Sequence, residues 1–194
     1  SGGAGPRWPT YHGYVESGRD ALILIEATLQ GFLPTVMRRL RDHERALIRS
    51  GSIFIYNEPR SRIKRWTDGR AWSPSRVLTT FLVYRELDRK LPRPRNADVA
   101  RLERYAVSEN TAAPLILPTV TSSRNGLQFQ EDGLIKKSFS VVLQGVPIHL
   151  ISYYKKHDVI TGYLMRPSHD TQLSHIQISP ELHWAHHNRV VLDD

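Results

Sequence analysis

Between Arg60 and Arg76 the chain carries Arg60, Arg62, Lys64, Arg65, Arg70 and Arg76 against a single acid, Asp68; these 17 residues hold +5 of a total net charge of +8. Cations at that density bind phosphate oxygens and release the counterions of a polyanion. Arg62, Lys64, Arg65 and Arg76 are candidate phosphate contacts, and the hydroxyls of Ser73 and Ser75 can bond phosphate oxygens too. Gly69-Arg70 has a sharper use. Glycine lets the backbone approach a groove floor, and the neighbouring arginine suits the narrow, strongly negative minor groove of A/T-rich duplex DNA. The AT-hook core is Arg-Gly-Arg, and here Asp68 replaces the first arginine. Asp68 is therefore expected to shape the turn and to orient Arg70 or Arg65 through a charge-assisted hydrogen bond. Trp72 joins the candidate surface, although packing is the commoner role for Trp66 and Trp72 alike. The candidate DNA-binding set is Arg62, Lys64, Arg65, Thr67, Asp68, Gly69, Arg70, Trp72, Ser73, Ser75 and Arg76. Lys64-Arg65-Trp66-Thr67 also places two basic residues ahead of a threonine, the pattern of a basophilic kinase site. A phosphate on Thr67 would bring about −1.5 to −2 charges into this loop.

The elements that must hold the loop are read from periodicity and punctuation. Asp20 is expected to cap a buried helix through Ala21-Leu22-Ile23-Leu24-Ile25 to about Gln30, with Gly31 as its stop. Pro34 opens a short helix near Val36–Leu40, and a second follows with Asp42 as cap and Ser50-Gly51 at its end. Ile53-Phe54-Ile55-Tyr56 reads as a buried strand, Asn57-Glu58-Pro59 as a turn, and Ile63–Trp66 as a partner strand. Asp68-Gly69 has turn chemistry. Ser73-Pro74 is a helix start, and Val77, Phe81 and Tyr84 then fall on one stripe of a helix ending near Asp88. The free N–H groups of that helix would add to the phosphate site.

Residues 89–131 change in character. Leu91-Pro92-Arg93-Pro94-Arg95 is basic and proline-rich, Ala97–Ala106 can form a short helix, and Ala113 to Asn125 is rich in Pro, Thr and Ser. The segment reads as a linker or insertion. Order resumes at Asp132-Gly133. Alternating apolar residues flank Gln144-Gly145 and predict a hairpin pairing Leu143 with Val146, Val141 with Ile148 and Phe139 with Leu150. Tyr163–Met165 and Ile176–Ile178 are further candidate strands, and the tail from His183 has no assignment. The early half is mainly helical, the late half mainly strand, and neither holds a full core. One α+β domain is expected, with an antiparallel sheet and flanking helices.

Other chemistries have little support. The absence of cysteine removes disulfides, thiolate zinc sites and thiol catalysis. No apolar run approaches the roughly 18–20 residues of a membrane span, and no signal peptide is visible. His183 and His187 with Glu181 lack the flanking ligands of a zinc motif, so a polar tail is expected and no metal. Lys136-Lys137 can reach phosphate or solvate a strand edge. Tyr153-Tyr154-Lys155-Lys156 can stack single-stranded bases, or end a strand with one tyrosine buried. There is no phosphate-binding Gly-rich loop, no His-Glu-x-x-His and no carboxylate cluster for a two-metal nuclease. Neither an enzyme nor a cofactor is expected.

Two blocks of the chain resemble the WOPR-domain family of fungal transcription regulators, which control morphological switches. The first resemblance runs through Thr10-Tyr11-His12-Gly13-Tyr14-Val15, Asp20-Ala21-Leu22, Arg49-Ser50-Gly51-Ser52-Ile53-Phe54 and Lys64-Arg65-Trp66-Thr67-Asp68-Gly69-Arg70-Ala71-Trp72-Ser73-Pro74-Ser75-Arg76. The second covers Asp132-Gly133-Leu134-Ile135-Lys136-Lys137-Ser138-Phe139-Ser140 and His149-Leu150-Ile151-Ser152-Tyr153-Tyr154. The resemblance implies a nuclear domain that binds double-stranded DNA with sequence preference, built from residues 10–88 and 132–184 across a variable linker. The competing expectations are an RNA or single-strand binder and a protein-interaction module with a basic face.

Overall fold

The computed structural model describes residues 9–88 and 129–192. Strands β1 (Tyr11–His12), β2 (Ser52–Asn57), β3 (Arg76–Leu78), β4 (Phe81–Arg85), β5 (Ile135–Leu143) and β6 (Val146–Tyr154) form one sheet in the order β1-β2-β6-β5-β4-β3. Every pairing is antiparallel. Helices α1 (Gly18–Leu29), α2 (Asp42–Arg45), α3 (Glu58–Ser61), α4 (Lys156–Ile160) and α5 (Pro180–Leu192) flank it. The architecture is α+β, as the sequence indicates. The hairpin β5–β6 lies between β2 and β4, so late strands complete a sheet begun by early ones.

That hairpin has the predicted register, with Leu143 opposite Val146, Val141 opposite Ile148 and Phe139 opposite Leu150. Gln144 and Gly145 have φ of 49° and 78°. Two successive left-handed residues match the twist of the strands they join.

Strand side chains alternate between two apolar layers. One layer holds Ile53, Ile55, Phe81, Val83, Ile135, Phe139, Val141, Ile148, Leu150 and Tyr154, packed against α1 and Leu182 of α5. Helix α1 is buried from Asp20 to Ala27. Its cap is Ser17 rather than Asp20; Asp20 sits one turn in and closes a capping box with Ser17. The opposite layer holds Phe54, Tyr56, Ile151 and Tyr153 with Val36, Leu40, Ile48, Ile63 and Leu134, and Trp66 and Trp72 pack half-buried against it. The basic loop lies on this second face.

Several elements depart from expectation. The helix predicted after Ser73-Pro74 is the hairpin β3–β4. Val77 pairs with Leu82, which puts Val77 and Tyr84 on the face opposite Phe81. The apparent stripe is thus split, and Val77 is 78% exposed. The β-branched residues Val77, Thr79, Thr80 and Val83 favour strand. Residues Val36–Leu40 are not helical; Val36 instead donates its N–H to Ile55 O at 2.8 Å. Helix α2 is a single turn that ends at Arg45, well before Ser50-Gly51. Asn57-Glu58-Pro59 opens a helical turn, with Asn57 Oδ1 accepting from Arg60 N at 3.1 Å. Ile63–Trp66 is not a strand; the partners of β2 are β1 and β6. Tyr163–Met165 and Ile176–Ile178 lie in irregular segments, and the unassigned tail forms α5. Most of the predicted linker, including Ala97–Ala106, lies outside the described residues; Phe129 at its end bridges to Leu87.

Candidate nucleic-acid interface

The loop leaves α3 through Arg62, whose φ of 58° reverses the chain. Ile63 then plunges into the second layer, 1% exposed. Helix α3 is itself fixed to the sheet: Glu58 Oε1 lies 2.8 Å from His149 Nε2, and His149 Nδ1 lies 2.6 Å from Ser140 Oγ. Among the described residues the backbone from Lys64 onward has no ladder partner until Ala71, so side chains order it.

A chain of aromatic and polar contacts does so. Trp66 stacks on Tyr56 with centroids 5.4 Å apart and planes at 16°. Its Nε1 donates to Tyr153 Oη at 2.7 Å, and that hydroxyl donates to Asp68 Oδ2 at 2.6 Å. Asp68 also accepts from Trp72 Nε1 at 3.0 Å and from the Arg70 N–H at 3.0 Å. Lys136 Nζ stands 3.7 Å from the carboxylate and sits over the rings of Trp72 and Tyr84. Burial pushes the Asp68 carboxyl up. Lys136, the Tyr153 hydroxyl and the two N–H donors outweigh it and hold the group below its usual value. Burial and the neighbouring carboxylate push the Tyr153 phenol up, so it remains a donor.

Beyond the turn the chain rejoins the sheet. Leu87 N donates to Ala71 O at 2.9 Å, Trp72 bridges to Glu86, and Ser73 N donates to Arg85 O at 2.8 Å. The Ser73 hydroxyl accepts from Arg85 N at 2.9 Å. Ser73 therefore serves β4, and no helix N-terminus exists at this point to offer N–H groups to phosphate.

The predicted site residues separate by exposure. Arg62, Lys64, Arg65, Thr67, Gly69, Ser75 and Arg76 are exposed, as is Arg60; Arg70, Trp72 and Ser73 are half-buried; Asp68 is buried. Gly69 has φ of +74°, the left-handed conformation glycine adopts without strain. Asp68 shapes the turn as expected, but through the Arg70 backbone. The Arg70 guanidinium goes instead to Glu86, with Nη1 donating to Oε1 at 3.0 Å. Neither Lys136 nor Lys137 is placed for phosphate. Lys136 is turned into the loop's underside, and Lys137 is wholly buried, donating to Val15 O at 2.8 Å. Both Tyr153 and Tyr154 are buried, which removes them as a stacking platform. Sequence reasoning missed Tyr56, Glu86, Lys136 and Tyr153 as supports. The alternation along β5 and β6 puts Lys136 and Tyr153 on the face opposite Phe139 and Leu150, but no local signal links that face to Asp68.

The family model described as Gti1/Pac2 family matches residues 10–115 and 103–155. The chain belongs to the Gti1/Pac2 family. It is 39% identical to the global transcription regulator sge1 of Fusarium oxysporum f. sp. lycopersici, over 93% of this chain and 63% of that protein. It is 40% identical to the cAMP-independent regulatory protein pac2 of Schizosaccharomyces pombe, over 87% of this chain and 79% of that protein. It thus spans only about three-fifths of the length of the Fusarium regulator. Among solved structures, the WOPR domain of Wor1 from Candida albicans in complex with 13 bp double-stranded DNA matches with a TM-score of 0.67 at 37% identity, over 93% of this chain and 97% of that one. The same domain with 17 bp DNA matches with a TM-score of 0.66 at 35% identity, over 92% and 98%. Among the described residues no helix is long and apolar enough to cross a membrane, and no group of acids and histidines is arranged to hold a metal ion.

Proposed function

We propose that this chain is the DNA-binding domain of a nuclear transcription regulator and that it binds duplex DNA with sequence preference. The observation that carries the reading is the loop from Arg62 to Arg76, a mostly irregular segment pinned from beneath by Trp66, Asp68 and Trp72. Its outer side presents Arg62, Lys64, Arg65, Ser75 and Arg76. Order of this kind in a cationic loop serves recognition, because a preordered surface loses less entropy on binding. The exposed cations contact phosphates, and Arg70 beside left-handed Gly69 reads an A/T-rich minor groove. The relatives named as transcription regulators and the DNA complexes of the Wor1 domain support the same reading.

Trp66 and Trp72 are engaged with Tyr56, Tyr153 and Lys136, which weighs against stacking of single-stranded bases on them. Selection of bound sequences from a random duplex pool tests the proposal, followed by competition with scrambled duplex, single-stranded DNA and RNA. Enrichment of one A/T-containing motif, with matched duplex the best competitor, is expected. Equal competition by single strands, or no enriched motif, would overturn it.

A further inference from the structure

Arg70 has a carboxylate partner, but not the one its neighbourhood in sequence suggests. Its guanidinium is gripped along two edges: Nη1 donates to Glu86 Oε1 at 3.0 Å and Nη2 donates to Ile48 O at 3.1 Å. The ion pair is largely shielded, with the two side chains 23% and 15% exposed. Glu86 is fixed before Arg70 reaches it. Its second oxygen accepts from Leu134 N at 2.9 Å, and its backbone N–H donates to Leu134 O at 3.0 Å. Its carbonyl accepts from Gln130 N at 3.0 Å, and it bridges to Trp72. The Arg70 backbone is held separately, by the Asp68 carboxylate on its N–H. Arg70 is thus clamped at both ends of a long side chain beside a cleft of about 380 Å³, lined by Asp42, Arg45, Asp68, Gly69 and Glu86.

We propose that Glu86 is a positioning residue for DNA readout, holding the Arg70 guanidinium in the orientation that meets the base edges while Arg70 itself makes the contact. The inference rests on the minor-groove reading above and assigns the orienting carboxylate to the end of β4. Arginine is among the side chains richest in rotamer entropy, and a free arginine loses it on every specific contact. A fork anchored to a carboxylate and a carbonyl has already lost it; each terminal nitrogen keeps a second N–H in that fixed plane, while Nε is buried and makes no hydrogen bond. A negative charge near DNA opposes binding in general. Retaining one here makes sense where the orientation it imposes outweighs that repulsion at the correct site.

The test measures competition binding of the 194-residue chain to the selected duplex and to a scrambled duplex of equal composition. The proteins are wild type, Glu86→Gln, Glu86→Asp, Arg70→Ala and the Arg70→Ala/Glu86→Gln double variant. Glutamine keeps an oxygen for Leu134 N–H. Aspartate keeps the charge but is one methylene short of Arg70, and melting curves check both folds. The expected result is a fivefold to tenfold fall in the ratio of selected to scrambled affinity in both Glu86 variants. Glu86→Gln should bind scrambled duplex as tightly as wild type or more so. Against Arg70→Ala, the second change should leave the ratio unaltered. If Arg70→Ala loses discrimination while the Glu86 variants keep it, or if Glu86→Gln binds the selected site more tightly with full discrimination, the positioning role is wrong and the minor-groove reading survives. If Arg70→Ala discriminates like wild type, both fall.

Discussion

Replacing Asp68 with asparagine separates order made by buried chemistry from order made by local turn preference. Asparagine keeps the side-chain shape and an oxygen for the Arg70 N–H, so the turn itself survives. Its amide nitrogen, in place of Oδ2, cannot accept from the Tyr153 hydroxyl, the Trp72 indole keeps only Oδ1, and the charge facing Lys136 is lost. Asp68 is 6% exposed and the Lys136 side chain 13%, so solvent screens little of what is removed. Removing one partner of a buried pair costs about 3–5 kcal/mol. Because asparagine retains part of the hydrogen bonding, about 3 kcal/mol is expected. With a urea slope of about 2 kcal/mol/M, the unfolding midpoint should fall by about 1.5 M at pH 7.

The pH dependence makes the test stricter. The folded carboxyl is depressed below the usual 3.8 although burial opposes this. A depressed acid stabilises the fold above its unfolded pKa, and that stabilisation disappears as pH falls through the folded value. The gap between wild type and Asp68→Asn should therefore be full at neutral pH and close below about pH 4. Duplex affinity should fall more for the matched than for the scrambled sequence, with an unchanged salt slope, because loop order is lost while no phosphate contact is removed. A variant that melts with wild type at pH 7, or a gap that persists undiminished at pH 3, refutes the argument.

Arg65→Ala should weaken duplex binding evenly across sequences and reduce the slope of log K against log salt by about 0.9, with melting unchanged; a full slope removes Arg65 from the phosphate contacts. Thr67 is exposed, so Thr67→Glu should lower duplex affinity without altering stability; full affinity counts against Thr67 as a phosphorylation switch. Burial pulls the Lys137 ammonium from 10.5 to about 8. The folded state therefore sheds this proton first, and wild type should gain about 1 kcal/mol relative to Lys137→Met between pH 7 and pH 9 in denaturant melts, whereas parallel curves would show that the buried lysine carries no such penalty.

The β5–β6 hairpin was legible because one face is buried and the turn demands two left-handed residues. Both signals are local, and a one-residue slip would expose the whole apolar set. The β3–β4 hairpin was misread because Val77, Phe81 and Tyr84 satisfy a helical spacing as readily as an alternating one. What decides is that Phe81 and Val83 face the core while Val77 faces solvent, a fact of the tertiary fold. The exposed half of the candidate site was legible from charge density alone. Its supports were not, since Asp68 meets Tyr153 across 85 positions and Lys136 across 68. From sequence alone Asp68 is the carboxylate expected to orient Arg70 or Arg65, whereas the Arg70 guanidinium pairs with Glu86. Asp68 is consumed by Tyr153 and Trp72, which leaves Glu86 for the guanidinium.

Interleaving gives this arrangement a consequence that neither block shows by itself. Trp66 stacks on Tyr56 of β2, yet the Tyr153 hydroxyl and the Lys136 charge that hold Asp68 from beneath come from β6 and β5, and Glu86 leans on Leu134. Strand β2 has β6 as its long partner and β4 has β5, so without the later hairpin both long edges would present unpaired N–H and C=O groups. A chain ending at Asp88 keeps every candidate phosphate contact and loses the means of ordering them. It should therefore be largely unfolded by circular dichroism. Its residual duplex binding should be salt-sensitive and blind to sequence, and adding residues 129–194 in trans should restore both structure and discrimination. Sequence-selective binding by residues 1–88 alone would mean that the loop is ordered by DNA itself, and that the buried Asp68 network contributes nothing to recognition.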